Sequence, residues 1–193
     1  MPYLGNFKIT KLYGTPPPAG MRYAAGKHPG VDLVGLTDKY VKAVVGGTVY
    51  RSGQDPDGWG NYIVVKQSDG CYGIYCHLSA RYKSAGQVVR AGDTLGKEGN
   101  TGMVTGQHLH FEVRQNYGDI YSTLEPCAYL GIAKKLGEVE VMEVEKNLKI
   151  KLNGKTKTVK AIEKDGYNYV KLQDLRDEKI AVEYDKMPVV RVV

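Results

Sequence analysis

Short apolar runs alternate with turn sequences from residue 31 to residue 113, and this pattern predicts the fold. The runs are rich in valine, isoleucine and tyrosine, which favour strands. Separators such as Asp55-Pro56-Asp57-Gly58 and Ser68-Asp69-Gly70 have the composition of turns. The spacing indicates an antiparallel β-sandwich or folded sheet rather than βαβ units. Predicted strands cover residues 31–34, 40–45, 47–51, 62–66, 72–76, 94–97 and 108–113, and a helical turn is expected over 78–85.

The pattern changes near residue 132, which predicts a second, smaller domain. Asn153-Gly154 separates two alternating runs, and this dipeptide is the strongest short signal for a β-hairpin. We therefore expect a mainly β protein with a large domain over 1–132, a linker over 133–146 and a small domain over 147–193. The small domain is predicted to be mostly β with one short helix. Its expected elements are strands 148–152, 156–162, 167–172, 180–184 and 189–193 and a helical piece over 173–177.

Composition and charge exclude several classes of protein. No run approaches the roughly 18 apolar residues of a membrane span, and the first residues lack the basic-then-apolar order of a signal peptide. We expect export by another route, or a targeting segment absent from this sequence. The net charge of +6 suits anionic polymers, but no aromatic-basic stripe or Lys/Arg block favours nucleic acid.

The chain has three cysteines, Cys71, Cys76 and Cys127. This small, odd number argues against a disulfide framework. Zinc ligation by Cys76, which precedes His77, is an alternative. The expected state of all three is a buried or half-buried free thiol.

The chemistry concentrates on the four histidines. His108 and His110 are spaced i, i+2 on a predicted strand, so their side chains lie on one face. Two imidazoles buried close together need shared partners, and a metal ion is the usual one. His28 precedes Asp32 by four residues across a Pro-Gly turn, which can place a ring nitrogen and a carboxylate oxygen on one ion. His77 ends another apolar run.

These motifs, in this order, resemble the signatures of the M23 (LytM and lysostaphin-like) zinc endopeptidases. The resemblance rests on His28-x3-Asp32, on Tyr75-Cys76-His77-Leu78-Ser79 and on His108-Leu109-His110-Phe111-Glu112-Val113, and it runs from about residue 5 to residue 130. It implies a zinc ion held by His28, Asp32 and His110. It also implies that His77 and His108 are the catalytic histidines.

Three further residues near these motifs have less certain roles. The family has a transition-state-stabilising tyrosine shortly before its first zinc histidine, and Tyr23 lies near that position; otherwise its ring packs under the site. Glu112 shares the face of His110; we expect it to form a surface salt bridge, with a role as partner for a ligand histidine as the alternative. Gln107 stands where family members often have proline, which changes the loop before His108 and removes no ligand.

The resemblance implies hydrolysis of peptide cross-links in bacterial peptidoglycan, by a phage endolysin or an autolysin acting at the cell wall. It could be made in a host cytoplasm or secreted. The basic charge also suits anionic wall polymers. The alternatives are a catalytically silent wall-binding protein of the same fold and a phage structural protein. Residues 147–193 more weakly resemble modules named after the copper amine oxidase N-terminal domain, and are expected to bind the wall or mediate dimerisation.

Overall fold

The computed structural model describes residues 1–141 except residue 21, and the backbone of residues 144–152, 155–164 and 167–170. Two compact units divide at residue 141: Met1–Val141 and Met142–Val193. The first unit contains twelve strands, a short 3-10 turn at Ile120–Ser122 and one helix. In chain order they are β1 (Phe7–Lys11), β2 (Val31–Gly35), β3 (Tyr40–Lys42), β4 (Gly47–Asp55), β5 (Gly60–Gln67), β6 (Tyr72–Leu78), β7 (Ala80–Arg81), β8 (Val88–Val89), β9 (Thr94–Lys97), β10 (Leu109–Arg114), β11 (Thr123–Leu124), α1 (Pro126–Leu130) and β12 (Gly137–Val139).

One large antiparallel sheet organises the first unit. Its strands follow the order β12-β1-β2-β10-β6-β5-β4-β8, with β11 paired to β10. A second sheet, β3-β9-β7, contributes Val41 and Leu95 to the same buried apolar cluster as Leu33, Phe111 and Tyr75 of the large sheet. The two sheets therefore enclose one core, and the predicted mainly β, antiparallel class is confirmed.

The opposite face of the large sheet carries the chemistry. In antiparallel ladders, directly opposed residues share a face. His110 opposes Asp32 on β2 and Cys76 on β6, and Glu112 opposes Ile74. The core side chains Leu109 and Phe111 alternate with these residues along β10 and point the other way. This alternation separates the site from the core.

Two local expectations need correction or addition. The helical turn expected over 78–85 is wrong, because Ala80–Arg81 pairs with β9 and the Tyr82 amide donates to the Leu95 carbonyl over 2.8 Å. These long-range ladder bonds outweigh local helix preference. The strand Phe7–Lys11, in which Phe7 and Ile9 are buried, is an addition to the predicted strands.

The domain boundaries drawn from the sequence stay a prediction. Within the expected linker, Gly137–Val139 forms β12 and pairs with β1. The second unit contains an antiparallel three-stranded sheet of β13 (Val144–Leu152), β14 (Lys155–Lys164) and β15 (Tyr167–Val170). Leu152 pairs with Lys155, so the expected hairpin is present. The helix expected over 173–177 and the strands over 180–184 and 189–193 lie outside the described residues.

The cysteines are free thiols, as expected: Cys71 is half-buried, and Cys76 and Cys127 are buried. Burial raises the pKa of the Cys76 thiol well above its usual value. None of the helices in the described part of the chain is long and apolar enough to cross a membrane.

Candidate metal centre

Strand pairing brings Asp32 and His110 together. They are directly opposed on β2 and β10, and Asp32 Oδ1 lies 2.8 Å from His110 Nδ1. Both residues are buried, at 8% and 6% exposure. Residues 78 positions apart in the chain are thus fixed by the register of a central strand pair, which is among the most rigid placements a protein offers.

The proline-glycine loop before β2 positions His28. The His28 amide donates to the Thr15 carbonyl over 2.8 Å, and the Gly14 amide donates to the His28 carbonyl over 2.9 Å. On the ring, Nδ1 donates to the Leu12 carbonyl over 3.1 Å. Nε2 is then left facing Asp32 Oδ1 at 3.1 Å. The loop therefore fixes both the place of His28 and its tautomer.

Three acceptor atoms converge at one point. His28 Nε2 lies 3.0 Å from His110 Nδ1, and both face the same oxygen of Asp32. The opposite nitrogen of each ring is committed as a donor, to the Leu12 carbonyl and to the Glu112 carboxylate. Two ring lone pairs at this separation repel unless a cation lies between them. The donor set, two imidazoles and a carboxylate within 4.8 Å of one another, fits zinc.

The pKa values of Asp32 and His110 are shifted strongly when no metal is bound. Burial alone would raise the pKa of Asp32, but hydrogen bonds with His110 and His28 hold it well below its usual range. Burial would lower the pKa of His110, yet its bonds to Asp32 and Glu112 raise it to about 9. A proton on His110 thus occupies the position that a metal would take.

Zinc affinity is therefore expected to rise about tenfold per pH unit between about pH 6.5 and 9, and to level off above, because binding displaces one proton from His110. The same proton stabilises the metal-free fold. Its contribution is complete below the ordinary pKa of 6.5 and is lost as pH rises through about 9. Titration of zinc against a competing chelator at several pH values measures the affinity. Thermal melts of the zinc-loaded and zinc-free protein measure the stability. An affinity independent of pH over that range would contradict it.

His77 and His108 lie beside the three converging residues. Their ring centroids are 4.8 Å apart, and His77 lies 5.8 Å from the ring of His110. Nδ1 of His77 donates to the Thr101 carbonyl over 2.9 Å, and Nδ1 of His108 to the Gly106 carbonyl over 2.8 Å. Nε2 is therefore the second nitrogen of each ring, and in His108 it lies 3.6 Å from Asp32 Oδ1. Burial and the nearby charges of His110 and His108 lower the pKa of His77 to about 4, so it is neutral at physiological pH.

A β-bulge aims His77 into the site. Asn61 pairs with Leu78 and Ile63 with Tyr75, so two residues of β6 oppose one residue of β5. Within this bulge His77 has a φ of 64°, and it is the one non-glycine residue with positive φ in the described part of the chain. Bulges beside active sites re-aim a side chain, and such backbone strain concentrates where function requires it.

Glu112 is buried, so the expectation of a surface salt bridge at this residue is wrong. It is 0% exposed, and its Oε1 accepts from His110 Nε2 over 3.0 Å. Oε2 accepts from Arg114 Nε and Nη2 over 2.8 and 2.6 Å. Burial would raise the pKa of Glu112, but its bonds with His110 and the charge of Arg114 lower it. The spacing of residues in the sequence placed Glu112 on the same face as His110. It could not show that other side chains cover this face at Glu112.

We propose that Glu112 orients His110 for metal binding. Glu112→Gln is expected to weaken zinc binding about 10- to 100-fold. The neutral amide is a weaker hydrogen-bond acceptor for His110 than the carboxylate, and it leaves the charge of Arg114 unpaired. Zinc affinity of Glu112→Gln against the parent protein measures this, with Glu138→Gln, an exposed residue of β12, as the control. Equal affinity in all three proteins would contradict the orienting role.

Tyr23 lies at the rim of the site. Its ring centroid is 5.5 Å from that of His28, and its hydroxyl accepts a hydrogen bond from Lys11 Nζ. Gln107, the residue before His108, donates to Glu98 over 3.2 Å. Glu98 is buried and also accepts from the Gly35 amide over 2.8 Å. Sequence reasoning missed Lys11 and Glu98, because neither belongs to a histidine motif.

Gly30 makes room for His110. A Cβ at this position would meet the Phe111 carbonyl oxygen at 2.5 Å and His110 Cε1 at 2.7 Å. Gly30→Ala is therefore expected to displace His110, lowering zinc affinity at least about tenfold and the free energy of unfolding by roughly 1–3 kcal/mol. Gly118→Ala is the control, since its nearest atom would lie 3.8 Å away. Zinc titration and denaturant melts check both; unchanged affinity in Gly30→Ala would contradict this packing argument.

Comparison with known proteins agrees with this geometry. The sequence profile of the family described as "Peptidase family M23" matches residues 26–121. The crystallised catalytic domain of lysostaphin from Staphylococcus simulans is 33% identical, with a TM-score of 0.58; the alignment covers 65% of this chain and 92% of that domain. The chain belongs to peptidase family M23. Family membership confirms the expected metallopeptidase class.

Two curated relatives are similar over about two thirds of the length of this chain. Lysostaphin from S. simulans is 34% identical over 129 residues, and the glycyl-glycine endopeptidase ALE-1 from Staphylococcus capitis is 33% identical over 129 residues. Each alignment covers 66% of this chain but only 26% and 35% of the respective relative. The chain therefore spans only a quarter to a third of the length of these two relatives.

Proposed function

We propose that this protein is a zinc endopeptidase that cleaves glycyl-glycine cross-links of bacterial peptidoglycan, as a phage lysin or an autolysin acting at the cell wall. The convergence of His28, Asp32 and His110, with two tautomer-fixed histidines beside them, carries the proposal. The choice of bond is supported by similarity to lysostaphin and to a glycyl-glycine endopeptidase over 129 residues each.

The chain's own residues account for the proton movements that amide hydrolysis needs. His28 Nε2, Asp32 Oδ1 and His110 Nδ1 would hold the zinc ion, which when bound supplies a Lewis acid and lowers the pKa of water to roughly 7. The Nε2 atoms of His77 and His108 take a proton from the attacking water and deliver one to the leaving amine. The Tyr23 hydroxyl donates to the negative charge that develops on the carbonyl oxygen.

The remaining assignments follow from this function. Peptidoglycan is the macromolecular partner, and the positive net charge of +6 favours contact with anionic wall polymers. The second unit, Met142–Val193, is proposed to bind the wall or to mediate dimerisation.

Digestion of purified sacculi tests the proposed activity. Walls with glycine bridges and walls with direct diaminopimelate links are incubated with the zinc-loaded protein, with chelator-treated protein and with the His108→Ala variant. Mass spectrometry is expected to find new amino-terminal glycines on the first wall, produced by the zinc-loaded parent protein alone. New termini on the second wall only would overturn the choice of bond.

A zinc-loaded protein that releases no termini from either wall would support the rival functions. Sedimentation of the protein with sacculi would then identify a catalytically silent wall-binding protein. Absence of both cleavage and wall binding would favour a phage structural protein.

A further inference from the structure

A group of aromatic rings continues the sheet face that carries the metal centre. Arg114 and Tyr72 are opposed four residues along β10 from His110, on the same face. The ring of Tyr72 lies 5.4 Å from that of Tyr50, which lies 5.1 Å from that of Tyr117. We name the group of rings on this face the aromatic platform; its members are Tyr50, Trp59, Tyr62, Tyr72 and Tyr117.

The platform exposes more aromatic surface than packing requires. Its rings cover only a small cluster of three buried side chains, Val64, Ile74 and Cys76. Tyr50 remains 44% exposed and the other rings are partly exposed. Contiguous exposed aromatics of this kind mark binding surfaces, because they supply contact area at low entropic cost.

Arg51 gives the platform an available positive charge. Its guanidinium lies 5.8 Å from the ring centroid of Tyr50 and 5.2 Å from that of Tyr117. Within residues 1–141 it forms no ion pair with a carboxylate, whereas Arg114 is neutralised by Glu112. Stacked guanidinium groups are preorganised for carboxylates.

The separation from the metal centre fits a peptide. Arg51 opposes Val64 on β5, which opposes Ile74 on β6, and Ile74 in turn opposes Glu112 on β10. Three interstrand spacings and the two residues from Glu112 to His110 give about 16 Å, which an extended peptide covers with roughly five residues. A sugar ring suits the platform less well, because Tyr50 meets Tyr72 and Tyr117 edge-on, at 73° and 66°, and these rings offer no common flat surface. A neutral sugar would also leave the charge of Arg51 unpaired.

We propose that the aromatic platform and Arg51 form a subsite for a carboxylate of the wall peptide attached to the cross-link, roughly five residues from the bond at the metal centre. The peptide backbone lies across the rings and the carboxylate pairs with the guanidinium of Arg51. This subsite rests on the proposed peptidase function for its substrate, but its recognition chemistry can be measured without turnover.

Binding of hexaglycine and of hexaglycine amide to the zinc-loaded His108→Ala protein, measured by calorimetry, tests the subsite. Arg51→Gln in this background is expected to weaken binding of the free acid about fivefold and to leave the amide unchanged, as an exposed charge pair is modest in strength. Arg51→Lys should retain part of the preference for the acid. Arg81→Gln, at an exposed arginine on β7 that donates to Ser52, is the matched control and should change neither affinity.

Equal affinity of the acid for the parent and Arg51→Gln proteins would overturn the subsite, and so would equal losses for acid and amide. Binding of a wall disaccharide that depends on Arg51, without binding of hexaglycine, would also overturn it and assign the platform to the glycan. An Arg51-dependent preference for the acid in a protein that releases no termini from sacculi would support the subsite and reject the peptidase.

Discussion

Replacing His28 by alanine or Asp32 by asparagine is expected to weaken zinc binding about 10²- to 10³-fold and to slow the release of amino termini from sacculi. Each change removes one of three protein ligands. Zinc-binding free energies of ~10–16 kcal/mol divided among about four ligands predict a loss of affinity on the order of 10²–10³ per ligand. In Asp32→Asn the loss is also electrostatic, because the Asp32 carboxylate supplies the negative charge that faces His28 Nε2 and His110 Nδ1. Elemental analysis of the purified variants measures the bound zinc.

The control for the ligand variants is Asp119→Asn. Asp119 accepts a hydrogen bond from the Tyr121 amide outside the site, so its loss should cost a little stability and no zinc. One zinc ion per chain in Asp32→Asn, at the affinity of the parent protein, would contradict the assignment of the centre.

Replacing His77 or His108 by alanine is expected to lower kcat about 10²- to 10⁴-fold while one zinc ion stays bound per chain. Both rings lie outside the group of three converging ligand atoms, and each keeps Nδ1 on a backbone carbonyl and turns Nε2 toward the site, where it can transfer a proton. The measurement combines the rate of release of amino termini from sacculi with zinc analysis of the same samples.

His77→Asn separates the loss of the imidazole from the effect on the backbone. Asparagine tolerates positive φ better than alanine, so this variant should be as inactive as His77→Ala but more stable in a denaturant melt. Loss of zinc in either histidine variant would make that residue a ligand and contradict its catalytic role.

Much of the metal centre follows from local spacing in the sequence. The i, i+2 spacing placed His108 and His110 on one face because side chains alternate along a strand, and the structure brings both rings to the same site. The Pro-Gly turn between His28 and Asp32 brought both toward one point, and their nearest ligand atoms are 3.1 Å apart. The alternation of side chains along a strand and the geometry of a Pro-Gly turn are local rules. They correctly predicted which residues of these short motifs lie close together.

What the sequence did not reveal depends on residues distant in the chain. Burial of Glu112 depends on Arg114 and on the rings that cover this face. The pairing of Ala80–Arg81 with β9 replaced an expected helical turn, because a ladder partner outweighs a local preference. The bulge at His77 arises from the register between β5 and β6, which spacing within β6 does not encode.

The backbone of His77 also has an evolutionary consequence. A non-glycine residue in the left-handed region costs about 1–3 kcal/mol, so selection for proton transfer keeps histidine where the chain would be more stable with glycine or asparagine. A gene copy released from the need for catalysis would gain stability by acquiring either residue at this position. Genome comparisons could therefore distinguish active copies from silent descendants by the residue at this position, even where all three metal ligands persist.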